Sequence, residues 1–104
     1  MKNTFLDLEL QDGTKIQLTL NFSRLLQLRS KRKKVYEQYT NALAGKGDVF
    51  ENSLVTIYTA YLCANLEKLD NNEVMSYETF IDAIPQSFAT INEAVEKLMY
   101  PKKK

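Results

Sequence analysis

The spacing of apolar residues changes period at position 21, and that change limits the folds open to this chain. Leu6, Leu8 and Leu10 alternate with polar residues, as do Ile16, Leu18 and Leu20, and Gln11-Asp12-Gly13 lies between the two sets. Period-two alternation on both sides of an Asp-Gly turn predicts a β-hairpin over about 4–20. Loop length decides its register. A two-residue loop would place Leu10 opposite Lys15 and send the two apolar sets to opposite faces. A three-residue loop, with Gly13 in the left-handed region as a bulge, pairs Leu10 with Thr14, Leu8 with Ile16 and Leu6 with Leu18. All the apolar residues then share one face, so this register is preferred. An isolated hairpin is marginal in water, so helices must cover that face.

The rest of the chain supplies them. Asn21 can cap a helix over about 22–44, with Phe22, Leu25, Leu28, Val35, Tyr39 and Leu43 as its apolar stripe. The stripe is interrupted at Lys31 and Arg32, where the helix can bend, and Gly45-Lys46-Gly47 ends it. Asp48 can cap a second helix over about 48–68. Its apolar residues, Leu54, Val55, Ile57, Tyr58, Tyr61, Leu62, Cys63, Ala64 and Leu66, cover more than one face. Such a helix is either central or meets a partner on its second side. Ser76 caps a short third helix over about 76–84, with Met75 and Phe80 spaced as a hydrophobic staple and Tyr77, Phe80, Ile81 and Ile84 on its buried side. Pro85 stops it. A fourth helix, about 86–99, follows Phe88, Ile91, Val95 and Leu98. The fold class expected is α+β, mostly α: one domain over 1–101, an N-terminal hairpin with about four helices on one face, and a flexible basic tail at 102–104.

A length of 104 residues with 44% hydrophobic and 26% charged usage suits one folded domain. The chain has no histidine and a single cysteine, Cys63. Histidine-based metal sites and Ser-His-Asp or Cys-His nucleophiles are therefore excluded within the chain. An intrachain disulfide is excluded too, which fits a reducing cytoplasm. No apolar run is long enough to span a bilayer, and Met1–Leu10 has no signal-peptide apolar core. Cys63, among Leu62, Ala64 and Leu66, reads as a buried structural thiol. Asp70-Asn71-Asn72-Glu73 lacks the glycine and bidentate glutamate of a calcium loop, and Glu93 and Glu96 read as solvated carboxylates. No metal, cofactor or catalytic residue is expected, and an enzyme is the weakest class.

Charge is segregated. Residues 1–46 carry nine Lys/Arg against four Asp/Glu, a net +5, and 47–101 carry two against nine, a net −7. The run Arg29, Lys31, Arg32, Lys33 and Lys34 is the sharpest local feature. It could meet an acidic protein surface, could meet nucleic acid, or could be a solvated helix face. Nucleic acid is disfavoured, because no Gly-rich loop or interleaved aromatic accompanies the run and the overall pI is about 7.8.

In its order of parts the chain resembles the tail assembly chaperones of siphophages and Gram-positive prophages. The likeness covers a short hairpin with a turn glycine (Gly13), an Asn21-Phe22 opening to the first helix, and a long apolar central helix. It ends with Ser76-Tyr77-Glu78-Thr79-Phe80-Ile81-Asp82, followed by Ile84-Pro85. These motifs record packing and capping rather than chemistry. The resemblance implies a non-enzymatic protein that binds the tape-measure protein in the host cytoplasm. It would keep that client's hydrophobic helices soluble until tail-tube subunits polymerise around it, and would be absent from the mature virion. It implies self-association, and a longer frameshifted product for which Lys102-Lys103-Lys104 would suit an A-rich slippery site. It brings no catalytic residues. The expected partner-binding residues are Tyr58, Tyr61 and Leu62 for apolar contact and Arg29, Lys31, Arg32, Lys33 and Lys34 for acidic groups on the client or a neighbouring copy. The competing readings are a small regulatory or adaptor protein that binds an acidic partner or nucleic acid, and a structural tail component.

Overall fold

The computed structural model describes residues 5–100. The expected 102–104 tail lies outside the described residues. Strands β1 (Leu6–Glu9) and β2 (Lys15–Leu18) form an antiparallel hairpin, followed by α1 (Phe22–Lys31), α2 (Lys33–Leu43), α3 (Val49–Ala64), α4 (Leu66–Asp70), α5 (Tyr77–Ala83) and α6 (Phe88–Met99). The fold is α+β and mostly α. Leu6 faces Leu18 and Leu8 faces Ile16, the register of the three-residue loop. Gly13 takes φ +90°, and the Leu10 amide donates to the Thr14 carbonyl at 2.7 Å. Leu8, Leu10 and Leu18 are buried, with Leu6, Ile16 and Leu20 packed at the margin.

Helix α3 is the hub. It packs against α1, α2, α4, α5, α6 and β2, while β1 meets α6. Nine of its residues are buried, among them Ile57, Ala60, Leu62 and Cys63. A helix buried this way must also satisfy the carbonyls of its last turn. Ala60 O accepts the Thr19 amide at 3.1 Å, Tyr61 O accepts Asn65 Nδ2 at 2.8 Å, and Cys63 O accepts an Arg24 guanidinium nitrogen at 2.9 Å. The buried hydroxyls of Thr56 and Thr59 donate back to the carbonyls four residues earlier. Hairpin, α1 and the α3–α4 junction are thereby joined at one end of the hub.

Two expected helices are each divided. The first breaks at Arg32, whose φ −141° and ψ 74° leave the helical region. Lys31 and Arg32 supply no apolar contact to continue the stripe, and four successive cations repel one another. The second turns at Asn65, so 48–68 becomes α3 and α4. Asn21, Asp48 and Ser76 cap α1, α3 and α5 as the sequence predicts, and Ser87 caps α6. Gly45, at φ +78°, closes α2: its amide bonds Ala42 O, and the Lys46 amide reaches Asn41 O. Asn72, at φ +58°, closes α4 by the same pair of bonds, to Leu69 O and Lys68 O.

Phe80 is fully buried, stacked on Tyr61 with ring centroids 5.0 Å apart and tilted against Tyr58 at 5.3 Å. Replacing it leaves a cavity that a helix as short as α5 cannot close alone. Phe80→Ala is expected to cost about 3–5 kcal/mol, read as a lower urea midpoint with an unchanged slope.

Candidate functional site

Tyr58, Tyr61 and Leu62 were expected to form an apolar contact surface. The structure places two of them inside. Tyr61 is 5% exposed and Leu62 1%, so neither can touch a partner while the fold is intact. Tyr58 is half-buried. The two phenols serve the loop before α5: Tyr58 OH donates to Met75 O at 2.9 Å, and Tyr61 OH accepts the Met75 amide at 3.0 Å. Both main-chain groups of Met75 are satisfied by α3 side chains, which fixes the entry to α5. Burial, then the neighbouring Tyr61, pushes the Tyr58 phenol above its ordinary value.

The basic run is divided by the break at Arg32. Lys31 Nζ lies 2.8 Å from Asp70 Oδ1, and an Arg32 guanidinium nitrogen lies 3.5 Å from Asn72 Oδ1, so these two face the end of α4. Arg29 lies over the Tyr36 ring, 5.9 Å from its centroid. Arg29, Lys33 and Lys34 are exposed and make no ion pair among the described residues. Lys33 and Lys34 sit in the first turn of α2, which has neither a side-chain cap nor an acidic residue there. Cations at the positive end of a helix dipole are unfavourable, so this corner favours an approaching carboxylate.

The free apolar surface lies elsewhere. Phe22, Leu26 and Leu43, two of them expected in the core, are 81%, 51% and 50% exposed. The break folds α2 back beside α1. Phe22 and Leu26, one turn apart, then form one wall of an open groove of about 350 Å³, and Tyr36, Thr40 and Leu43 form the other. Leu25 and Tyr39 make its floor. Arg29 over Tyr36, with Lys33 one turn before Tyr36, places positive charge at the closed end. The only carboxylate on α1 or α2 is Glu37, which is exposed and makes no ion pair among the described residues.

A second apolar groove, about 270 Å³, lies where the start of α3 meets α5 and the start of α6. Phe50 and Phe88, tilted with centroids 5.7 Å apart, form its outer part, and Ile81 and Pro85 line it. Phe88 and Tyr77, expected on buried stripes, are both exposed. Burial, then the Glu51 carboxylate, raises the Tyr77 phenol above its ordinary value, and Glu51 follows Phe50 in the first turn of α3.

Among the described residues no cluster of His, Cys, Asp or Glu could hold a metal ion, and no helix is long and apolar enough to cross a membrane. Glu93 pairs with Lys97 at 3.5 Å on the surface. Comparison with known protein families, curated proteins and solved structures finds no match to this chain.

Cys63 is fully buried, and burial pushes its thiol from 9.0 to about 12; burial also pushes Tyr39 from 10.0 to about 12. A neutral buried thiol is a poor nucleophile. The folded state holds both protons longer than the unfolded chain. Stability is therefore independent of these two groups below pH 9 and falls as pH rises from 9 toward 12. The urea midpoint is expected to decline over that range, less steeply in Cys63→Ala. A thiol reagent at pH 8 should label Cys63 only after unfolding.

Proposed function

We propose that this chain is a non-enzymatic tail assembly chaperone that binds the tape-measure protein and keeps it soluble until the tail tube polymerises around it. One observation carries the reading: the open apolar groove between α1 and α2, with Arg29 and Lys33 at its closed end. Its two walls repeat apolar residues at helical spacing, which suits the apolar face of a client helix. Monomeric proteins rarely leave large contiguous apolar surface uncovered without a binding role. The resemblance in the order of parts adds to this reading, with the capped Ser76–Asp82 segment and its Ile84-Pro85 stop as its most specific element.

Apolar contact in the groove supplies most of the affinity. Arg29, Lys33 and Lys34 attract acidic residues flanking the client's apolar stripe and set its orientation. Lys31 and Arg32 act mainly inside the molecule, on Asp70 and Asn72. The protein works in the cytoplasm of the bacterial host, self-associates, meets the tail-tube protein as assembly proceeds, and leaves before the virion is complete.

The test is a tagged pull-down from cells whose tail genes are induced, read by mass spectrometry. A long helix-rich tail protein is the expected catch, and Leu26→Asp should reduce its recovery about ten-fold or more at an unchanged melting temperature. Recovery of nucleic acid or a regulatory protein, with no tail protein, would select the adaptor reading. Presence of the chain in purified virions would select a structural tail component. The triple change Arg29→Glu, Lys33→Glu, Lys34→Glu is expected to weaken client binding about ten-fold at low salt, an effect that shrinks toward 1 M salt.

A further inference from the structure

The groove at the start of α3 carries the opposite charge from the one between α1 and α2. Phe50 and Phe88 are 52% and 46% exposed, and Val49 beside them is more open still. The apolar surface continues over Ile81 to Tyr77, because Ile81 lines both the Phe50–Phe88 groove and the adjoining hollow formed with Tyr77, Glu78 and Asp82. Three exposed carboxylates border it: Glu51, next to Phe50 in the first turn of α3, and Glu78 and Asp82 on α5. None makes an ion pair among the described residues. Lys46, in the turn before α3, is the nearest cation in sequence and forms no ion pair with them either.

We infer that this face, built from Phe50, Ile81, Tyr77 and Phe88 with Glu51, Glu78 and Asp82 at its edge, is a second protein-docking surface, for an amphipathic helix flanked by lysine or arginine. The choice of occupant rests on charge complementarity. Three carboxylates without local partners around an apolar groove repel an acid-flanked helix or an anionic membrane and attract a cationic one. The apolar hollow supplies contact area, and the carboxylates select orientation and partner. The surface lies on different elements from the α1–α2 groove, so one molecule can hold an acid-flanked segment on one face and a base-flanked segment on the other.

Two synthetic amphipathic peptides test this on the ¹⁵N-labelled full chain. Both carry leucine along one helical face, one with lysine flanks and the other with glutamate flanks. The lysine peptide is expected to shift resonances of residues 49–51 and 77–88 and to bind this face about ten-fold or more tightly than the glutamate peptide. Phe88→Ser should weaken it about ten-fold, and Glu51→Lys with Glu78→Lys should reverse the preference. Absence of shifts here, shifts confined to residues 22–43, or indifference to the charge reversal would overturn the inference. So would a concentration-dependent dimer that Phe88→Ser abolishes, since the occupant would then be a second copy. The glutamate peptide's effect on residues 22–43 reports separately on the chaperone groove, so either surface can fail alone.

Discussion

Burial of α3 on nearly every side is the constraint from which the rest of the architecture follows. A helix surrounded in this way gives the core more buried residues than any other element but cannot leave its terminal carbonyls to water. The chain resolves this by bringing two distant segments, the Thr19 amide from the end of the hairpin and the Arg24 guanidinium from α1, to the place where the Asn65 side chain turns back from the start of α4. Each bond satisfies a buried acceptor and also fixes where its own element lies. The hairpin, which would not persist alone, is held by this bond and by apolar packing on α3 and α6. At the opposite flank Tyr58 and Tyr61 do the same for Met75. Polar bonds to the hub set the positions of the elements, and leucines and aromatics supply the stabilisation.

The features legible in the sequence were those set by local chemistry. The hairpin register follows from Gly13 and the alternation of leucines. The caps at Asn21, Asp48 and Ser76 follow from short polar side chains before apolar periodic runs, and the α2 stop follows from Gly45. The central place of α3 follows from its all-round apolar composition. What the sequence could not supply was which apolar residues remain outside. Phe22, Leu43 and Phe88 sit at helical spacing from core residues, and spacing alone assigns them to the core. Their exposure comes from how the helices cross. Tyr61 and Leu62 went astray the other way: an all-round apolar helix has two explanations, and here the second side is covered by the loop at Met75 and by α5 rather than by a partner. A pair of phenols fourteen and seventeen residues before Met75 gave no signal that they would read its backbone.

The distribution of ions follows the same division between inside and outside. Of the five cations in the basic run, Lys31 and Arg32 are turned toward Asp70 and Asn72, so the excess positive charge of the first half is smaller than the count suggests. What remains lies at the joint, with Arg29 over the Tyr36 ring of the groove and Lys33 and Lys34 in the first turn of α2. The carboxylates Glu51, Glu78 and Asp82 border apolar surface. The segregation seen along the chain thus becomes, in three dimensions, two apolar faces with edges of opposite sign. Among the described residues Lys31–Asp70 is the one ion pair that joins the two halves.

The break at Arg32 also fixes a phase. An unbroken helix over 22–43 would be about 33 Å long, as long as the molecule, whose extents are 32 × 31 × 30 Å. Folded at one residue, the same segment becomes two walls instead of one rod. Each residue advances a helix by about 100°. Adding or removing one residue at the joint would therefore turn α2 by that angle about its own axis. Tyr39 would leave the floor, and Tyr36 and Leu43 would leave the wall, with no change in the identity of any residue that lines the groove. The groove depends on the length of the joint as strictly as on the side chains that line it.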